Sequence, residues 1–570
     1  MLSLRRLAYV LILVIGLSII FLIYNINEKN TKVVTIENTV IEEKPLEQGI
    51  IAENSDEVTF YLVGNPEREI YGDIYNNISR MMDDMKLSWE AKIRIQGEDL
   101  SNLNHVIIFC DDEVNPYVDQ RELGYFIEKG GKVVLAAGLA EGYKDSYLLP
   151  VWGVVEKTIR TNYTDYNFLK PFLPVQEEKM SYDGYTMSTR ISVREEAQVY
   201  VEDAKKKVPL VYSYAYGQGK SLILNTTILS NQKFMGFLSS GLGVLLEDFV
   251  YPVLGVESIF IDNFPIISQA NDSYYMKSYG HTTEAFIRDV IWPVFQGMAL
   301  RNDLKYTSSV VSIASDDEQF PKISSELFGA MGKSALQFNG ELAYASQSIK
   351  SNKHFKNEKF LTNFDQIFRN YTISSLVMMA DMAVEETLSI LDKDINVIRG
   401  SLVSNNQKER LSLEEDYYVF PNATSGVELD RGLVLEIASV YSAYGMISHT
   451  LDFNNFMGIT EGKPTWDEDR IKLSKFEDRV LRPFKGLEKI TLSETINAIR
   501  SYKNLEYSWN NDEETISITA DQFVIDQPFL VRTNDKINSV EGATIEKIGD
   551  NYYMVRLTAS KAILGIAKGE

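Results

Sequence analysis

The stretch SIFIDNFP, Ser258 to Pro265, decides how this chain reads, because an apolar strand-like run ends there in a carboxylate and a carboxamide side by side, Asp262 and Asn263. Beyond it the pattern recurs. YTSSVVS, ALQFN, INVIRGS, YYVFPN and YGMISHTLD have the length and composition of strands, and helical stretches separate them, including Phe364–Leu391 and Arg431–Tyr444. Strand and helix in repeated alternation build a β/α barrel, where chemistry collects at the carboxyl ends of the strands. Residues 257–501 are expected to form such a barrel, with Asp262 and Asn263 at its mouth.

Upstream, VTFYLVG, a helical stretch over Ile74–Met85, HVIIFCDD, a second helical stretch over Gln120–Glu128 stopped by Gly130 and Gly131, and KVVLAAG predict a doubly wound parallel sheet within residues 57–256. KVPLVYSYAYGQGKSLILN reads as a hairpin with Gly217 and Gly219 at its turn. Its GQGK is no phosphate loop, since the first glycine of that motif is absent. The single cysteine, Cys110, lacks the flanking glycines of a nucleophile elbow and reads as a buried strand-end residue. Downstream, TISITADQFVI, PFLVRTN and YYMVRLTAS alternate and turn often, which predicts a small antiparallel β domain over residues 502–570.

The chain has 570 residues and a formal net charge of -23, so it is long enough for several cores, and its charge argues against nucleic acid as a partner. Near the N-terminus, Arg5 and Arg6 precede the uncharged run LAYVLILVIGLSIIFLIY, Leu7 to Tyr24. That run can cross a bilayer core, and the arginines keep residues 1–6 in the cytoplasm and send the rest outside. No small-x-small cleavage site follows, so an uncleaved anchor is expected over 7–24, with a polar stalk over 25–56 as a spacer.

The barrel residues resemble the NodB-type polysaccharide deacetylases, and residues 57–256 are similar to the class I glutamine amidotransferase-like fold. The whole arrangement resembles the bacterial domain of unknown function 2194 family that accompanies Pel exopolysaccharide genes. In deacetylases of this kind one aspartate and two histidines hold zinc, a second aspartate is the base, and a late-strand histidine is the acid. The resemblance places the base at Asp262 and the metal aspartate at Asn263. In LQFNGELAYAS the paired histidines fall on Asn339 and Ala343, with Gly340 kept. Arg399 in VIRGS matches the arginine that orients the base. In GMISHTLDFNNF, His449 is kept and the acid histidine falls on Asp452. The chain's other histidines are His105, His281 and His354, and His281 would replace a lost ligand only from a loop folded over the mouth.

No metal and no cofactor is expected from this set, although zinc belongs to the family. The ligand-binding candidates are Asp262, Asn263, Asn339, Arg399, His449 and Asp452, together with the loop FPNATSG, Phe420–Gly426. The resemblance implies a membrane-anchored extracellular protein of exopolysaccharide synthesis or export, whose inactive barrel binds an amino sugar polymer beside synthase or transporter subunits. An active deacetylase or glycan hydrolase pairing Asp262 with Asp452 or Glu341 is the alternative, and an envelope protein with an empty cleft is a third reading.

Overall fold

Continuous apolar runs such as FYLV and VIIF are buried on both faces and form the parallel half of the first sheet. Its strands are β1 (Phe60–Val63), β2 (Trp89–Lys92), β3 (Val106–Phe109), β4 (Lys132–Leu135), β5 (Val154–Phe168), β6 (Lys179–Val193), β7 (Gln198–Asp203), β8 (Pro209–Tyr216) and β9 (Gly219–Leu224). They lie in the order β2-β1-β3-β4-β9-β8-β7-β5-β6, parallel through β9 and antiparallel from there on. The computed structural model describes residues 43–49, 58–142, 144–265, 271–310, 325–346, 367–368, 371–378, 383–391, 395–401, 410–414, 416–429, 432–460, 462–512 and 514–567. The expected anchor over 7–24 lies outside these residues, and no helix among them is long and apolar enough to cross a membrane.

Helix Gln120–Glu128 starts where expected because Asp119 caps it, accepting from the backbone of Arg121 and Glu122. The β8–β9 hairpin forms as well, with one correction. Tyr216 pairs with Gly219, so Gly217 and Gln218 make the turn, with Gly217 at φ +64. Gly219 opens β9 instead, where any Cβ would strike the carbonyl of Ile127. The sequence reading passed over β2 and the long β5–β6 ribbon, whose half-exposed strands lack a continuous apolar run.

After β10 (Phe249–Pro252) the second sheet begins. Its strands are β11 (Val256–Phe264), β12 (Tyr306–Val310), β13 (Glu341–Ala345), β14 (Ser375–Val377), β15 (Val397–Ser401), β16 (Ser412–Leu413), β17 (Tyr418–Asn422), β18 (Thr424–Ser425) and β19 (Met446–Asp452). Strands β11 to β15 and then β17 pair in parallel in chain order, while β19 pairs in parallel with β11. Because β18 continues the path of β17 and pairs with β19, the ring closes. Two expectations fail here. ALQFN is not a strand: Ser325–Gln337 is helical and the third strand is β13. Within Phe364–Leu391, expected as one helix, SLV forms β14, and a helix then runs over Val384–Leu391. A short apolar run does not tell strand from helix by periodicity.

The C-terminal strands form two four-stranded sheets around a core that includes Ile516, Ile518, Phe529, Val531, Val555 and Leu564. β10 pairs with Gln527–Arg532, so Phe249–Pro252, assigned to the first domain in the sequence reading, belongs to the C-terminal sheet. Helix Met235–Leu246 is apolar all round because it is buried between the first domain and the barrel. There Gly236, Ser239 and Ser240 meet Ser439 and Ser442 of helix Leu433–Tyr444, with Ser240 Oγ 2.8 Å from Ser442 Oγ. Residues 43–49, read from sequence as part of a spacer, instead lie along the C-terminal domain.

Candidate functional site

Asp262 and Asp452 are register partners at the carboxyl ends of β11 and β19, so the ring brings residues 190 positions apart in sequence side by side. Register with β12 shifts between Ile261 and Phe264, and Asn263 sits in the left-handed region at φ +56. Strict alternation would send Asp262 and Asn263 to opposite faces of the sheet; the bulge breaks it, and both side chains reach partners at the mouth. Asparagine is one of the few side chains that tolerates the conformation.

Asp262 is 6% exposed and Arg399, on β15, is 3% exposed. They meet in a bidentate pair, Nη1 to Oδ1 at 2.9 Å and Nη2 to Oδ2 at 2.8 Å. Ser309 Oγ on β12 also donates to Asp262 Oδ1, at 3.1 Å. Arg399 Nη1 donates in addition to Thr450 Oγ1 at 2.9 Å, and Thr450 donates to Asn422 Oδ1 at 3.1 Å. Beneath them the Phe260 ring lies 4.8 Å from the guanidinium carbon, a cation–π contact in a desolvated place. Beside this network Asn263 Nδ2 donates to Asp452 Oδ1 at 2.9 Å, as does the backbone of Asn454. Burial pushes the Asp452 carboxyl above the ordinary aspartate range; those two bonds pull it back, and the nearby charge of Asp262 adds to the rise.

The other expected residues are elsewhere. His449 is wholly buried, stacked on Phe476 with centroids 4.6 Å apart. Its Nε2 lies 2.8 Å from the carbonyl of Gly426 and its Nδ1 2.9 Å from Thr424 Oγ1. A carbonyl only accepts, so Nε2 carries the proton and Nδ1 accepts from the threonine. Burial lowers its pKa to about 3 and keeps the ring neutral. Asn339, placed at the mouth by the sequence reading, sits at φ +57 in the turn between helix Ser325–Gln337 and β13, at the opposite end of the barrel. The reason is the helix that replaces the expected strand.

Ala343 is a buried mid-strand residue of β13. Glu341 opens β13 and is bonded by the hydroxyls of Ser375 and Ser493 and, at 2.9 Å, by the Ser493 backbone. Those partners close the barrel base, so Glu341 is separated from Asp262 and its role is structural. His281 precedes helix Thr283–Phe286 and lies near the Phe286 ring, 6.4 Å between centroids. His354 falls outside the described residues.

The donor set does not fit zinc. Asn263 offers an amide tied to Asp452, Ala343 offers nothing, and both nitrogens of His449 are occupied. No group of three His, Cys, Asp or Glu side chains among the described residues is gathered as a metal site. In the first domain Cys110 is buried, and burial holds its thiol well above the ordinary value. Next to it Asp111 is bonded by Arg68 and by Tyr117 at 2.7 Å, and Asp112 by Arg160 at 2.5 Å, an ion cluster with its charges balanced. Sequence reasoning missed Ser309 and Thr450 and reached Asn422 only as one residue of the loop FPNATSG. Thr450 lies two positions before Asp452 on β19, and that even spacing was the available signal.

Residues 24–554 match the family described as "Uncharacterised protein conserved in bacteria (DUF2194)". The chain belongs to that family. Among solved structures it is similar to Agd3, described as a novel carbohydrate deacetylase, at 9% identity and a TM-score of 0.51, covering 90% of this chain and 99% of that one. A ThuA-like protein from Bacteroides uniformis matches at 11% identity and a TM-score of 0.28, over 35% of this chain and 93% of that one. A β-galactosidase from Bacillus circulans sp. alkalophilus matches at 14% identity and a TM-score of 0.24, over 34% of this chain and 31% of that one. No curated protein matches. The likeness to Agd3 concerns the fold.

Proposed function

We propose that this protein is a membrane-anchored extracellular component of exopolysaccharide synthesis or export, of the Pel-like kind, whose barrel mouth binds an amino sugar polymer without zinc-dependent deacetylation. One observation carries the reading: both oxygens of Asp262 are held by Arg399, with Ser309 adding a third bond. A carboxylate so engaged holds the mouth rigid, and Asn263 beside it, tied to Asp452, offers an amide where the family's metal ligand is a carboxylate, so no activated water is supplied for Asp262 to deprotonate. Around it Asn263, Asn422 and Asp452 supply the amide and carboxylate groups that recognise sugar hydroxyls, and Asp452 supplies charge for the ammonium of a de-N-acetylated unit. The fold shared with Agd3, a carbohydrate deacetylase by description, makes a glycan the natural ligand class.

The raised Asp452 carboxyl beside Asp262 supports a second reading, in which Asp452 donates a proton in glycan hydrolysis. Titration calorimetry with partly deacetylated oligosaccharides, run with acetate and reducing-end assays, separates the two. Binding that weakens in Asp452→Ala, with neither product formed, is the expected result. Acetate release overturns the first reading, and new reducing ends establish the second.

A further inference from the structure

Residues 43–49 are fastened to the folded body at several separate points. The backbones of Glu47 and Phe523 bond in both directions, at 2.6 and 3.3 Å. Gly49 N donates to Asp521 at 2.7 Å, in a place where any Cβ would strike the carbonyl of Ala520. Lys44 N donates to Asn497 at 3.0 Å, while Arg500 donates to the carbonyl of Lys44 and pairs with Glu43, each at 3.0 Å. A spacer free of the body would make none of these bonds.

The fastening is at one end of the barrel. Lys44 lines a cleft of about 270 Å³ with Val256, the first residue of β11, and Ile490 of the segment that closes the base. Glu43 and Arg500 also lie close enough to Tyr418, the first residue of β17, to act on its hydroxyl. Both strands begin there. Asp262 and Asp452 lie at the far ends of β11 and β19, and a strand of that length spans about 25 Å.

We infer that the barrel base and the adjoining C-terminal domain face the membrane, and that the mouth opens away from it toward the polymer. This rests on the anchoring read above for Leu7–Tyr24. Eighteen residues separate Tyr24 from Glu43, and that number of residues can span no more than roughly 60 Å. A tether that ends at the base holds the base near the bilayer. Turning the mouth to the bilayer lifts the base by the body's own height, which that limited reach would have to cover. The fastening of 43–49 removes the slack that a longer free spacer would leave.

The test uses the full chain in liposomes bearing a headgroup acceptor dye. Cys110 is buried, so one introduced cysteine carries the donor. Ile525→Cys, 40% exposed and lining the same cleft as Lys44, reports on the base. Asn455→Cys, exposed in the turn after β19, reports on the mouth. Energy transfer should be several-fold stronger from position 525 than from 455, and the double variant Asn497→Ala, Arg500→Ala should narrow the difference. Protein that floats with the liposomes but transfers equally from both positions, or more from 455, overturns the orientation and leaves anchoring intact. So does a difference that the double variant leaves unchanged. Protein that fails to float overturns the anchoring and the inference with it.

Discussion

Glu257 is 1% exposed on β11 at the base of the barrel, and neither of its carboxylate oxygens has a hydrogen-bond partner. Lys489 is the charged neighbour that opposes the cost of its burial, and the Lys489 ammonium is itself bonded to the carbonyl of Asn302. Burial pushes the Glu257 carboxyl up to about 8 from an ordinary value of 4.5. The folded chain therefore holds a proton that the unfolded chain releases, and stability falls as pH rises from the unfolded value toward the folded one.

At about 1.4 kcal/mol per unit, the penalty reaches roughly 3 kcal/mol at pH 7 and levels off near 5 kcal/mol above pH 8. Glu257→Gln is neutral at every pH and of the same shape, so it should be close to wild type below pH 4.5 and about 2 to 3 kcal/mol more stable at pH 7. Urea unfolding of both proteins at pH 4, 6, 7 and 8.5, followed by tryptophan fluorescence, reads this directly. The diagnostic quantity is the difference between the two midpoints as a function of pH. A difference that does not grow between pH 4.5 and 8, or a variant less stable at pH 7, refutes the assignment of Glu257 as a buried carboxyl without a partner.

Truncating one member of the Asp262–Arg399 pair leaves the other buried and uncompensated, so Arg399→Ala should cost about 3 to 5 kcal/mol in thermal unfolding, while Asp262→Asn with Arg399→Met together recovers most of it. His449 should show no titration between pH 4 and 8 by NMR, because its folded pKa lies near 3; a midpoint near 6.5 would place the ring in solvent. The triple variant Asn263→Asp, Asn339→His, Ala343→His should bind no stoichiometric zinc by elemental analysis, because Asn339 and the mouth are at opposite ends of the barrel. Gly236→Leu should destabilise the whole chain and leave the first domain and the barrel unfolding at separate temperatures in calorimetry, since a side chain there meets the carbonyl of Ser439.

The sequence by itself determined the features that depend on local pattern. Runs of apolar residues long enough for one strand, the Asp119 cap and the paired glycines after Glu128 belong to a few neighbouring positions, and so the parallel sheet, its helix and the β8–β9 hairpin were legible. So was the juxtaposition of Asp262 with Arg399, although only through a resemblance that aligned VIRGS with an arginine known to orient a base. The failures have one cause. ALQFN is as good a strand as a helix end in isolation, and the choice was made by packing, which set the strand six residues later and carried Asn339 to the base. Packing likewise turned His449 away from the mouth, took Phe249–Pro252 into the C-terminal sheet and fastened 43–49 where composition predicts a free spacer. In each case the deciding partner lies dozens to hundreds of residues away, Phe476 for His449 and Phe523 for Glu47, and no local periodicity carries that information.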